Sequence, residues 1–156
     1  MKITNIRIAG LGGMGVLKAS LVLSEVLFEL GYDVKKAEVH GMAQRGGSIS
    51  SDIRFGEKVL SPMIPRNKID YFLSMMPEWS DVHIPEVVDG GIVIKSDDID
   101  ITKLSNAKAI NIAMLGILSK YLDIPTENFL TVLGKLFPEK FHKSNEEAFM
   151  LGRNNV

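Results

Sequence analysis

A glycine cluster, Gly10-Leu11-Gly12-Gly13-Met14-Gly15, sits between an apolar run and a long apolar segment. That placement constrains the fold more than any other feature of the chain. Residues 3–9 alternate Ile6 and Ile8 against Asn5 and Arg7, which predicts a short strand. Residues 16–30 predict a helix, closed by Gly31 as a C-terminal cap. Its charges, Lys18, Glu25 and Glu29, occupy one narrow stripe, so most of its girth expects burial. Residues 34–39 predict a second strand. Strand, glycine turn, helix and strand in that order form the unit of an open α/β sheet.

A second cluster follows at once: His40-Gly41-Met42-Ala43-Gln44-Arg45-Gly46-Gly47-Ser48. It places a cation, an amide and a hydroxyl on a loop of little side-chain bulk. A glycine turn that opens a helix directs backbone N–H groups toward an anion, reinforced by about half a positive charge from the helix dipole. The candidate site therefore comprises Gly10, Gly12, Gly13, Met14 and Gly15 from the first cluster, and Gln44, Arg45, Gly46, Gly47 and Ser48 from the second. Together these residues suit an anionic ligand, or a docking edge for a partner that carries one. The first cluster is also compatible with a tight strand-to-helix turn. Arg45, flanked by glycines, can reach a carboxylate or phosphate bidentately or close a salt bridge within the chain. Ser48 can donate a hydrogen bond or simply begin the next strand. Glu38 stands where a ribose-binding acid would stand in a dinucleotide fold, but it leads straight into the second cluster.

Beyond the clusters, residues 49–55 and 58–61 both alternate, predicting a hairpin with Gly56 in its turn. Residues 69–75 predict a strand. A helix is expected from Pro77 toward Val88, with Pro85 as a point where it can be interrupted, closed by Asp89-Gly90-Gly91, then a strand at residues 92–95. Residues 107–110 predict a short strand, Asn111 the cap of a helix through Leu122, and Thr126 the cap of one ending near Phe137. A last helix is expected from Asn145. The fold expected is a three-layer, Rossmann-like α/β domain spanning residues 1–156. Its sheet is mixed, with helices on both faces and the hairpin after the second cluster.

Composition narrows the function. The chain has 156 residues, a formal net charge of −1 and no cysteine. A slightly negative net charge leaves no electrostatic footprint for nucleic acid. Without cysteine the chain offers no disulfide, thiolate nucleophile or cysteine-ligated cluster. No uncharged apolar stretch reaches membrane-spanning length and the N-terminus shows no signal pattern, so a cytoplasmic location is expected. His40, His83 and His142 lack metal spacing. Asp97-Asp98-x-Asp100 lacks the glycine and distal glutamate of a calcium loop. No catalytic residue is assigned, since no nucleophile–base arrangement can be argued.

The two clusters, with Arg54-Phe55-Gly56 and Ser61-Pro62-x-Ile64-Pro65, resemble the beta subunits of indolepyruvate:ferredoxin oxidoreductases. More broadly they resemble the gamma subunits or domains of 2-oxoacid:ferredoxin oxidoreductases. Asn111 with Met114-Leu115-Gly116, and Asn145-x-x-Ala148-Phe149-x-x-Gly152, fit the same pattern. The resemblance implies a cluster-free subunit that completes the active-site interface for oxidative decarboxylation to an acyl-CoA. It places thiamine diphosphate and iron–sulfur clusters on a catalytic partner, with ferredoxin as an indirect partner and coenzyme A possible at the interface. Relatives usually carry Gln where this chain has Met14, and are longer around residues 95–107. A free-standing nucleotide- or anion-binding module on a Rossmann-like fold is the alternative, and a homodimer of the isolated chain is a further expectation.

Overall fold

A computed structural model describes residues 2–40 and 47–155. A five-stranded mixed sheet runs in the order β2-β3-β1-β4-β5. Its strands are β1 (Thr4–Leu11), β2 (Asp33–His40), β3 (Ser48–Gly56), β4 (Ile69–Ser74) and β5 (Val87–Lys95). β1 pairs parallel with β4, and β4 with β5, while β3 lies antiparallel to both β1 and β2. The helices are α1 (Val16–Glu29), α2 (Ile110–Tyr121), α3 (Thr126–Leu136) and α4 (His142–Arg153). The α/β class and the mixed sheet match the sequence expectation.

The main core fills one face of the sheet. Ile6 and Ile8 of β1, Ile53 of β3 and Leu73 of β4 meet Ala19, Leu23 and Val26 of α1 and Met114 and Leu118 of α2. This contact buries one side of α1 only; Leu17, Leu21 and Phe28 stay exposed, so the expected burial of most of its girth is corrected. Gly31, at φ 94°, ends the helix as expected, its N–H donating to Phe28 O at 2.9 Å. α2 and α4 approach until backbones touch. A Cβ on Gly152 would lie 1.7 Å from Ala113 O, and one on Gly116 2.1 Å from Phe149 O.

The opposite face is covered by short 3₁₀ turns, Pro77–Val82 and Ile84–Glu86, and by the segment carrying Ile64. It holds a buried polar ladder. Arg7 and Asp52 are directly opposed across β1 and β3, as are Asn5 and Arg54. The Arg7 guanidinium donates to both Asp52 oxygens at 2.6 and 2.9 Å, a bidentate pair. Arg54 donates to Asn5 Oδ1 at 2.9 Å and to Ser61 O at 2.8 Å. His83 packs its ring 5.1 Å from that of Phe72 and approaches Arg7. Burial first, then the Arg7 charge, holds the His83 imidazole below its ordinary pKa, against the pull of Asp52 and Glu86.

Several local expectations are corrected. Residues 58–61 form no strand. The hairpin is β2 with β3, whose full-length pairing from Asp33↔Gly56 to His40↔Ile49 flanks the second cluster. Pairing of residues 49–55 on both sides leaves no edge for a strand at 58–61. In place of a helix, residues 77–82 and 84–86 form 3₁₀ turns and Val87 already starts β5; Pro85, which lacks an N–H, provides the interruption. Asp89-Gly90-Gly91 lies inside β5, with Gly90 at φ 79° beside an irregular register against β4. Residues 107–109 form a 3₁₀ turn capped by Asn106, and Asn111 lies within α2. Pro125 precedes α3 at the cap position, and α4 starts at His142.

Candidate functional site

The first glycine cluster leaves the C-terminal end of β1, at the edge where the parallel strands also end. The chain then diverges: β1 leads through α1 to β2 on one side of the sheet, while β4 and β5 lie on the other. Open α/β sheets bind ligands at such a switch point. Gly13 and Gly15 adopt φ of 87°, a conformation that costs other residues about 1–2 kcal/mol. Gly10 has no space for a side chain, since a Cβ there would lie 2.9 Å from Met75 Cβ.

The two clusters meet. Gly12 N–H donates to Gly47 O at 2.9 Å. Ser48 starts β3 opposite Leu11, so the last rung of the β1–β3 ladder sits directly beneath that tie. Gly47 itself has φ 90°. The strand-start reading of Ser48 therefore describes its backbone. Gln44, Arg45 and Gly46 lie outside the described residues.

Gly15 caps α1. The first intrahelical bond, Ala19 N–H to Gly15 O at 2.9 Å, leaves the preceding N–H groups outside the helical ladder. No side chain caps them among the described residues, and the first turn holds no acid. Such an end favours negative charge. Met14 contributes differently from what its thioether suggests. Leu11 N–H points at its sulfur at 3.4 Å, and Met14 N–H donates to Leu11 O at 3.2 Å. The side chain folds back over its own loop, so its sulfur faces a backbone N–H.

Asn111 is a site residue whose role the sequence did not reveal. Its Nδ2 donates to Gly15 O at 3.2 Å, and it is 5% exposed. A Cβ on Gly15 would lie 2.4 Å from that nitrogen. The glycine turn is thus braced from α2, far away in sequence. Only its position in a motif could have signalled this; spacing alone suggested a helix cap. His40 stands exposed at the end of β2, and Glu38 pairs with Lys36 at 3.9 Å on the outer strand. Neither joins the glycine edge through a described contact. Asp98 and Asp100 accept from Lys95 N–H and Thr102 N–H, closing local turns.

The sequence matches the profile of the pyruvate ferredoxin/flavodoxin oxidoreductase family over residues 5–155. The chain belongs to that family. Among curated relatives, indolepyruvate oxidoreductase subunit IorB of Thermococcus kodakarensis is 43% identical over 93 residues. That match takes in 60% of this chain and 46% of the relative, so the chain spans about half the length of the relatives it matches. The fold is shared with the gamma subunit of a keto/oxoacid ferredoxin oxidoreductase from Geobacter sulfurreducens, at TM-score 0.82, 21% identity and 97% coverage of both chains. It is shared also with 31% of a 2-oxoglutarate:ferredoxin oxidoreductase chain from Magnetococcus marinus, solved with 2-oxoglutarate, coenzyme A and succinyl-CoA bound. There the TM-score is 0.83 at 19% identity, covering 99% of this chain. Within this oxidoreductase family fold, the glycine edge is where the N-terminus of α1 and backbone donors uncapped among the described residues coincide.

Proposed function

We propose that this chain is a single gamma-type domain serving as the cluster-free subunit of a 2-oxoacid:ferredoxin oxidoreductase of the indolepyruvate or arylpyruvate class. It has no turnover alone. A catalytic partner carries thiamine diphosphate, which supplies the decarboxylation chemistry, and the iron–sulfur clusters, for which this chain has no cysteine. Its site residues are Gly10, Gly12, Gly13, Met14, Gly15, Gln44, Arg45, Gly46, Gly47 and Ser48. They form one wall of the interface, near the thiamine diphosphate or the coenzyme A site.

The Gly12–Gly47 tie carries this reading, because it brings two loops with little side-chain bulk to one edge beside an uncapped helix end. That edge fits a phosphate or carboxylate: backbone donors without competing acids. Leu17 and Leu21, exposed on the first turns of α1, extend it with an apolar margin suited to a protein surface.

The test is reconstitution with the catalytic subunit. The pair should reduce ferredoxin with an arylpyruvate and coenzyme A, and each chain alone should not. A catalytic subunit equally active without this chain would sink the proposal. Thermal unfolding of the isolated chain distinguishes the free-standing module, which would respond to NAD or FAD, by about 2.7 kcal/mol at a hundredfold excess over Kd.

A further inference from the structure

β2 is an eight-residue edge strand, and no described residue pairs with its outer side. Its sequence, Asp33-Val34-Lys35-Lys36-Ala37-Glu38-Val39-His40, is unusual for an exposed edge. Edges are commonly blunted by lysine, which repels a second strand. Here Lys36 and Glu38, the two charges next to Ala37, are opposite in sign and symmetric about it, while Lys35 mirrors Val39. Val39, 55% exposed, adds an apolar side chain that the monomer leaves uncovered.

We propose that the outer edge of β2 pairs antiparallel with β2 of a second copy of this chain, joining two five-stranded sheets into one. The proposal does not depend on the catalytic partner. A twofold axis perpendicular to the sheet keeps the helix-bearing faces of both copies on the same side, and requires one residue to face itself on the axis. Charge disfavours the two registers that flank Ala37. With Lys36 on the axis, two ammonium groups oppose each other; with Glu38, two carboxylates do. Directly opposed like charges destabilise a sheet. With Ala37 on the axis, the smallest side chain of the strand faces itself. Lys36 then opposes Glu38 of the second copy, twice by symmetry.

The geometry of the single chain supports this register. Lys36 and Glu38 lie on one face of β2, opposite Ile53 and Ser51 of β3, and already approach to 3.9 Å. Their side chains are 31% and 37% exposed. Pairing about Ala37 extends this contact into a ladder of four alternating charges. On the other face, Lys35 opposes Val39 of the second copy, and its methylene stem covers the exposed valine. Every second residue of β2 turns its N–H and C=O outward, so the pairing also satisfies edge backbone groups.

The test is a charge swap on the purified full chain, read by sedimentation velocity, with circular dichroism confirming the fold. The wild-type chain should dimerise. Lys36→Glu alone and Glu38→Lys alone should each raise the dimer Kd about thirtyfold, because both symmetric pairs turn repulsive. The double variant, Lys36→Glu with Glu38→Lys, should dimerise like wild type. An equimolar mixture of the two single variants should form a mixed dimer, since each chain then supplies what the other lacks. A wild-type chain that stays monomeric up to about 1 mM would overturn the proposal. So would a dimer whose Kd neither single variant changes, or singles that fail to recover on mixing.

Discussion

Gly152→Ala adds one methyl group where α4 crosses α2, and the structure makes it costly. The new Cβ would lie 1.7 Å from Ala113 O and 2.7 Å from Ala113 C. Both obstacles are backbone, so no rotamer change relieves them. Restoring ordinary contact requires the helices to separate by roughly 1.5 Å locally. Phe149, fully buried against Phe129 with ring centroids 4.9 Å apart, would lose contact in the process. Overpacking of this kind costs about 1–3 kcal/mol, and the absence of a flexible neighbour puts this site at or above the upper end. Alanine recovers up to about 1 kcal/mol of helix propensity relative to glycine. The net expectation is a loss of about 2–3 kcal/mol, a fall in Tm of about 5–10 °C for a domain of this size. Gly134→Ala is the matched control. It is exposed within α3, with nothing within 4 Å of its added Cβ. There the propensity gain acts alone, and stability should rise by about 0.5–1 kcal/mol. Thermal and urea unfolding of the two variants measure both signs. A Gly152→Ala protein as stable as wild type, or stabilised like Gly134→Ala, would refute the backbone-contact argument.

Three further outcomes are expected. Gly15→Ala should cost about 2–4 kcal/mol, combining a φ of 87° with the approach to Asn111. Adding Asn111→Ala should recover the steric part but not the backbone part, so a double-mutant cycle by urea denaturation should give a favourable coupling. Arg7→Ala should cost about 3–5 kcal/mol, because Asp52 is 6% exposed and would be left without its bidentate partner. Replacing both by apolar residues, Arg7→Met with Asp52→Leu, should recover most of that loss in the same assay. His83 carries a lowered pKa, so the unfolded chain takes up a proton that the folded chain resists. Stability should fall as pH drops below about 6.5 toward the folded-state value, and that part of the slope should vanish in His83→Gln.

The sequence disclosed features whose cause is local. Gly31 ended α1 because an αL residue is needed there, and the alternation of Ile6 and Ile8 identified β1 with its helix-facing side. It concealed features whose cause lies across the sheet. Arg7 and Asn5 read as an outward polar face, yet Asn5 is buried and Arg7 half-buried, paired with Arg54 and Asp52 on a strand distant in sequence. Alternation within one strand cannot report what opposes it. The same ignorance of pairing misplaced the hairpin: residues 49–55 were legible as a strand, but their two neighbours, β1 and β2, were not. Asp89-Gly90-Gly91 read as a stop because glycine and aspartate disfavour strands. They occupy the irregularity between the Ile69↔Val87 and Tyr71↔Ile92 pairs with β4, and Gly91 has no room for a Cβ, which would lie 2.5 Å from Val87 Cγ1. For the candidate site, the glycines were legible from their order before a helix. Their meeting through Gly12 and Gly47 was a hypothesis that only coordinates could connect.

The residues outside the clusters that carried the family resemblance turn out to share a mechanical task. Asn111, Gly116, Phe149 and Gly152 form a chain of contacts. Gly152 lets α4 touch the backbone of α2 at Ala113, and Gly116 lets α2 touch α4 at Phe149. These two contacts fix α2 along its length and thereby fix Asn111 near its start. Asn111 in turn holds Gly15, the cap of α1, through one hydrogen bond and a contact that only glycine permits. The position of the bare N–H groups at the glycine edge is therefore set partly from the C-terminal helix. A loop made of glycine has little rigidity of its own. Bracing it through two interlocked helices holds the glycine turn in one geometry, the property that the proposed anion site would require.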